Sequence, residues 1–300
     1  MSVRHLLEID DLSPAELSEV LRRAAAPSVH RPLVGRTVGL YFEKPSLRTR
    51  HSCEVAVVEL GGHPVTFRHD EVRTGDREPV ADIARVLSGY HAALGARVYD
   101  HGMLEELAAA AGVPVVNLLS DRGHPCQALA DLLTMREEVG ELDGASLAWV
   151  GDFNNVARSL AIGATLLGMK VRLACPPQYG PDDLDLDRLR RAGGEPVVTI
   201  RPEEAAAGAV AVHTDVWASM GQEHDAERRR RDFEGFAVGD RVMAAAAPGA
   251  VFMHCMPAHR GEEVTASVVD GAQSRMIVQA HNRRHAFRGL LSWLIEEASR

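Results

Sequence analysis

The 300-residue chain has little of what marks a secreted, membrane-bound or nucleic-acid-coating protein. Its four cysteines, Cys53, Cys126, Cys175 and Cys255, are scattered, with no CxxC pair and no framework spacing. That pattern fits a reducing compartment better than a disulfide scaffold. No apolar run approaches the roughly 20 residues that span a bilayer, so no membrane partner is expected. The opening residues, Met1-Ser-Val-Arg-His5 with Glu8, Asp10 and Asp11 close behind, lack the apolar core of a signal peptide, and the expected location is cytoplasmic. Positive charge is in deficit: a formal net charge of -9 argues against a broad nucleic-acid or anionic-lipid surface. The run Arg228-Arg-Arg-Arg231 reads as a solvated helix face balanced by Glu223, Asp225, Glu227, Asp232 and Glu234, so no nucleic acid is expected. Gly151-Asp-Phe-Asn-Asn155 lacks the second and third glycines of a dinucleotide fingerprint. With no metal-spaced His/Cys cluster either, neither cofactor nor metal is expected.

What is present is an ordinary globular composition, 46% hydrophobic and 25% charged, in a chain long enough for two domains. The first helix is marked by Ser13 as N-cap, Pro14 at its first position and Glu16 completing a capping box. Apolar strand-like runs at 37–42, 64–67, 92–96 and 113–118 then alternate with helical stretches at 47–60, 79–89, 102–111 and 125–138. A polar, turn-forming break at Glu138-Val-Gly-Glu-Leu-Asp-Gly144 precedes a restart of the pattern. Strands follow at 146–150, 170–174, 196–200, 209–213 and 250–254. Helices follow at 154–167 and 183–192, with one ending at Ala247 and a last one over about 284–298. This alternation predicts an α/β fold of two similar domains, each a parallel sheet flanked by helices. The expected division is 1–140 joined by the C-terminal helix about 284–300, and 141–283.

Chemistry-bearing residues gather where strands give way to helices. Glu43-Lys-Pro-Ser-Leu-Arg-Thr-Arg50 follows the apolar run Thr37–Phe42. A helix starting there offers unpaired N–H groups and partial positive charge, and Arg48 and Arg50 add guanidiniums, which makes a socket for a compact dianion such as phosphate. Arg97-Val-Tyr-Asp-His101 and His124-Pro-Cys-Gln127 end two further strands, and ligands of open α/β sheets collect at that edge.

Ser46-Leu-Arg-Thr-Arg50, His124-Pro-Cys-Gln127, Asp215-Val-Trp-Ala-Ser-Met-Gly221 and His254-Cys-Met-Pro257, in this order through nearly the whole chain, resemble the ornithine carbamoyltransferases. The first two stretches are shared with transcarbamylases generally, and the last two look specific to the ornithine branch. The resemblance implies transfer of a carbamoyl group from carbamoyl phosphate to the δ-amine of L-ornithine, giving L-citrulline and phosphate. It implies that Ser46, Leu47, Arg48 and Thr49 hold the phosphate. Arg97, His124, Pro125, Cys126, Gln127, Cys255, Met256 and Arg283 would complete the carbamoyl-phosphate pocket. Arg97, His124, Gln127, Cys255 and Arg283 are the implied catalytic groups. Asn155, Asp215, Ser219 and Met220 would bind ornithine, Asp215 meeting the α-ammonium and Asn155 the α-carboxylate. The implied assembly is a homotrimer or an assembly of trimers.

Some positions depart from the family pattern. Leu47 stands where many relatives carry Thr, Cys53 where Phe is usual, and Arg73 lies in a loop that in transcarbamylases reaches a neighbouring subunit's active site. His281 and Arg284 replace an acidic and an apolar residue beside Arg283. Leu47 is expected to be tolerated, because its contact is mainly through the backbone, whereas Arg73 and His281 bear more directly on the site.

Overall fold

The computed structural model describes residues 3–27, 30–72, 78–218 and 225–299. The chain divides into two compact units, Met1–Leu133 with His281–Arg300, and Thr134–Ala280. The strands are β1 Thr37–Phe42, β2 His63–Arg68, β3 Ala93–Arg97, β4 Val115–Leu119, β5 Ser146–Val150, β6 Lys170–Ala174, β7 Val197–Thr199, β8 Ala211–Thr214 and β9 Val251–His254. The helices are α1 Pro14–Ala25, α2 Leu47–Glu59, α3 His69–Val72, α4 Val80–Ser88, α5 His101–Ala110, α6 Pro125–Val139, α7 Asn155–Leu166, α8 Asp183–Arg191, α9 Pro202–Ala206, α10 Ala226–Asp232, α11 Asp240–Ala245, α12 Ala266–Val269 and α13 Met276–Glu297.

In the first unit the strands run parallel in the order β2-β1-β3-β4. β1 and β3 lie inside the sheet and are apolar and buried almost throughout, as a parallel sheet covered on both faces requires; the edge strand β2 is partly exposed. Tyr41, Leu94, Ala96, Val98, Leu104 and Val115 form one core cluster here. The second unit has a parallel sheet ordered β7-β6-β5-β8-β9, packed into a core around Trp217, Phe233, Phe252 and Val264. Each sheet reverses its direction of growth once, between β1 and β3 in the first and between β5 and β8 in the second. Such switch points open a crevice at the carboxyl ends of the strands.

α1 begins as its residues dictate, with the Ser13 hydroxyl accepting from Glu16 N and the Glu16 carboxylate accepting from Ser13 N. The C-terminal helix differs from expectation: α13 starts at Met276, not near 284, so Asn282 and Arg283 lie within it. The first turns of α13 are anchored by Met276, which packs into the second unit's core, and by Gln279, whose Oε1 accepts from His254 N (2.9 Å), while Ile277 and Val278 stay exposed. Later in the helix the packing is close. A Cβ on Gly289 would fall 2.6 Å from Ala24 N, so only glycine lets α13 approach α1 this tightly. Arg288 fastens the same crossing by donating to the carbonyls of Ala24 (2.8 Å) and Ala26 (2.6 Å). The helix penultimate in the reading of the second half ends at Ala245, two residues before Ala247.

Among the described residues, no helix is long and apolar enough to cross a membrane.

Candidate functional site

Side chains expected to act together do gather, one group at each switch point. In the first unit, Ser46 caps α2 through a hydrogen bond from Thr49 N (3.3 Å). Thr49 is buried, and its hydroxyl accepts from two guanidiniums, Arg97 Nη1 and Arg283 Nη2, each at 3.2 Å. Arg97 ends β3, where the register with β4 shifts between Ala96 and Arg97; an irregularity of this kind re-aims a side chain at a strand end. Arg283 arrives from α13 and donates to Gln127 Oε1 and, at 3.4 Å, to His124 Nε2. Gln127 in turn donates to Asp131 Oδ1 at 2.7 Å, which fixes its amide. One hydroxyl and one guanidinium therefore tie together residues 49, 97, 124, 127 and 283.

This cluster is rich in positive charge and buried. Burial, followed by the charges of Arg283, Arg97 and Lys44, holds His124 well below its ordinary value, so the imidazole is neutral. Its Nε2 accepts from Arg283, which agrees with a neutral ring. Lys44 was not singled out by the sequence reading. It is buried, with Nζ 4.1 Å from the centre of the Tyr99 ring, and burial and then Arg97 lower its pKa. Its only signal in the sequence is its place beside Ser46.

Other expected members stand differently. Leu47 is 69% exposed, so its backbone alone faces the helix start. Arg50 lines a cavity together with Lys44, Pro45 and Ser46. It turns along α2 to Glu54 (2.8 Å), the i,i+4 partner that helix geometry favours. Arg48 is half-buried at the first turn. Pro125 opens α6, and the buried Cys126 donates from Sγ to Asn117 O at 3.4 Å, with burial pushing its thiol up to about 12.

In the second unit the group is acidic and polar. Asp215, just past β8, accepts from Cys255 Sγ (2.9 Å) on one oxygen and from Asn154 Nδ2 (2.9 Å) on the other. Asn154, not Asn155, is the N-cap of α7: its Oδ1 accepts from Val156 N and Ala157 N, both at 3.0 Å. Asn155 is the first helical residue, half-buried. The sequence offers two adjacent asparagines at a helix start, and either satisfies the N-cap preference, so the choice is invisible until Asp215 is in place. Cys255 follows β9, and Met256 beside it has φ 60°, a left-handed conformation that costs a non-glycine residue roughly 1–3 kcal/mol and recurs at functional sites. This turn is braced from below. His254, wholly buried, accepts from Met256 N at Nδ1 (2.8 Å) and meets Glu263 Oε1 through Nε2 (3.1 Å). Burial works against charge on Glu263, but hydrogen bonds from His254 and the His259 amide bring it below the usual carboxylate range. Ser219, Met220 and Arg73 lie outside the described residues.

Among the described residues, two groups of donors stand close enough to ligate one ion, Asp215/His254/Cys255 and His259/Glu262/Glu263, each within 4.8 Å. The first is already committed to internal bonds: Asp215 to Cys255 and Asn154, His254 to Glu263 and Met256 N.

Comparison with known proteins agrees with both halves. Residues 4–137 match the family model described as aspartate/ornithine carbamoyltransferase, carbamoyl-P binding domain, and residues 143–294 match the corresponding Asp/Orn binding domain. The ornithine carbamoyltransferase of Acidothermus cellulolyticus is 49% identical over 99% of this chain and 98% of its own length. The solved ornithine carbamoyltransferase of Pyrococcus furiosus superposes with a TM-score of 0.92 at 43% identity, covering 98% of each chain. That of Thermus thermophilus gives 0.88 at 46% identity, covering 97% of this chain and 99% of its own. The chain belongs to the aspartate/ornithine carbamoyltransferase family, on its ornithine carbamoyltransferase branch.

Proposed function

We infer that the chain transfers the carbamoyl group of carbamoyl phosphate to the δ-amine of L-ornithine, giving L-citrulline and phosphate. The observation that carries this reading is the contrast between two switch points: buried cations around the Thr49 hydroxyl in one unit, and a carboxylate bonded to a thiol and an amide in the other.

The first group suits an acyl phosphate. The N-terminus of α2 at Ser46, Leu47, Arg48 and Thr49 takes the phosphate oxygens through backbone N–H groups, hydroxyls and the Arg48 guanidinium. Arg97 serves both the phosphate and the carbonyl side. Arg283, His124 and Gln127 donate toward the carbamoyl group, where preorganised donors stabilise charge developing on the carbonyl oxygen and on the departing phosphate. Pro125 and Cys126 shape the pocket through their backbone. The second group suits an amino acid: Asp215 for the α-ammonium, Asn155 for the α-carboxylate, Ser219 and Met220 for the remaining contacts. Cys255 and Met256 face the reacting end. In the reaction the δ-nitrogen bonds to the carbamoyl carbon and the carbon–oxygen bond to phosphate breaks. Phosphate leaves with the bonding pair, and the amine releases one proton. The nucleophile must be the neutral amine, and the hydrogen-bonded pair Cys255–Asp215 is placed to take or relay that proton.

The active form is a homotrimer or an assembly of trimers. Support comes from apolar side chains left exposed on the first unit, Val55 and Val58 on α2, Val65 on the edge strand β2, and Val34. The enzyme works in the cytoplasm, a reading supported by four cysteines that are all free thiols.

The test measures citrulline and carbamoylputrescine formation side by side. Citrulline from L-ornithine, with little product from putrescine, is expected. A preference for putrescine would overturn the ornithine assignment: putrescine keeps an ammonium for Asp215 but lacks the α-carboxylate assigned to Asn155.

A further inference from the structure

The four-arginine run at 228–231 does not behave as one solvated face. Arg228 pairs with Asp225 (2.8 Å) and Arg230 with Glu262 (3.1 Å), both exposed, and Arg231 is exposed as well. Arg229 points inward and is 8% exposed. Its Nη1 donates to Asp152 Oδ2 at 2.8 Å and to the carbonyl of Trp217 at 2.7 Å, and its guanidinium lies 4.7 Å from the centre of the Tyr179 ring.

Both acceptors belong to the stretches that carry the amino-acid site. Asp152 ends the turn after β5 and stands two residues before Asn154, whose amide holds Asp215. Trp217 stands two residues after Asp215. The same switch point is therefore bridged twice, directly by Asn154–Asp215 and again by Arg229 between Asp152 and Trp217. Asp152 is itself buried, and burial raises its pKa against the pull of Arg229, with the nearby Asp215 charge acting in the same direction as burial. A carboxylate in that setting needs its cation.

We propose that Arg229 is a positioning residue for the amino-acid substrate: by joining Asp152 to the Trp217 carbonyl it fixes the spacing between the Asn155 and Asp215 stretches. The proposal rests on the assignment of Asn155 and Asp215 to ornithine. Both bonds leave the single nitrogen Nη1, and a lysine ammonium has donors enough for two acceptors; what the guanidinium adds is a planar face held over the Tyr179 ring.

The experiment compares steady-state kinetics and thermal unfolding of Arg229→Gln, Arg229→Lys and the double variant Arg229→Gln/Asp152→Asn in the full-length protein. Arg229→Gln should raise the ornithine KM about 10- to 100-fold, as loss of charge-assisted hydrogen bonds from a buried group does, and leave the carbamoyl-phosphate KM within about twofold. Arg229→Lys should lie between it and the wild type, and it carries the same test if the glutamine variant does not fold. The double variant should recover thermal stability and keep the raised ornithine KM, because the Trp217 carbonyl is still unheld. Equal changes in both KM values, or lost thermal stability with unchanged kinetics, would reduce Arg229 to a structural role and overturn the proposal. So would a double variant with wild-type ornithine KM, which would leave charge compensation as the whole effect. Asp215→Asn separates the two readings: if it leaves the ornithine KM unchanged, the amino-acid site itself is misassigned, whatever Arg229 does.

Discussion

The two switch points of this molecule are built on opposite principles. In the first unit, Arg97, Arg283 and Lys44 crowd a buried hydroxyl and a neutral imidazole; burial, and after it the neighbouring positive charges, depress the pKa values of His124 and Lys44. In the second, a carboxylate is shared between an amide and a thiol, and a second buried carboxylate is balanced by an arginine. One site gathers guanidinium and ammonium groups around a hydroxyl and an imidazole, and the other distributes negative charge among internal partners. A dianion relieves the first, whereas a zwitterion needs only to exchange partners with the second. The difference gives each of the two proposed substrates a group of opposite electrostatic character.

The largest expected effect comes from crossing the two sites. Arg97→Met removes a buried donor at the cationic point and should lower kcat/KM for carbamoyl phosphate by about 100- to 1000-fold, the range seen when one preorganised donor is lost. Asp215→Asn should do the reverse, raising the ornithine KM about 10- to 100-fold while carbamoyl-phosphate binding, measured by calorimetry, stays nearly intact. If either substitution weakened both substrates equally, the division of labour between the switch points would fail.

A smaller effect separates the neutral imidazole from its charged neighbours. His124 has a folded pKa well below the ordinary 6.5, with burial as the main cause. The unfolded chain therefore takes up a proton near pH 6.5 that the native site refuses. The contribution is complete above that pH and shrinks as pH falls toward the lowered value, by up to about 1.4 kcal/mol per pH unit. Urea unfolding at pH 7.5 and 5.5 should show this loss in the wild type and a smaller one in His124→Gln. Equal losses in both would mean that the acid sensitivity belongs to other groups, such as the buried parts of His5 and His91.

Most of the scaffold was legible beforehand because its signals are local. β1, β5 and β6 are apolar runs bounded by turns, and their observed ranges coincide with those expected; α1 announces itself through Ser13, Pro14 and Glu16. What escaped depends on partners far away in sequence. The start of α13 is held by Met276 in the second unit's core and by Gln279, which meets His254 N and His213, partners far back in sequence that no helical period can register. Asn154 took the cap because Asp215 lies 61 positions on, and Arg229 turned inward because Asp152 lies 77 positions back. Arg229 and its three neighbours are identical as letters, so composition predicts one shared exposure. Only tertiary structure distinguishes the buried one.

The smallest expected effect tests whether the phosphate end is read by backbone or by side chain. Leu47 is the first residue of α2, 69% exposed, and Arg50 is committed to Glu54. If the helix start holds phosphate through its N–H groups, Leu47→Ala keeps every donor, and the carbamoyl-phosphate KM should stay within about twofold. Arg50→Ala breaks an exposed i,i+4 pair worth about 0.3–0.5 kcal/mol and should lower stability by no more than that, again with little change in KM. The sharper discriminator is Leu47→Pro, because proline is tolerated at the first helical position but removes the N–H itself. A raised carbamoyl-phosphate KM for Leu47→Pro beside an unchanged one for Leu47→Ala assigns the contact to the amide. The opposite pattern would mean that the exposed leucine side chain takes part in binding and that the cationic site extends beyond its buried guanidiniums.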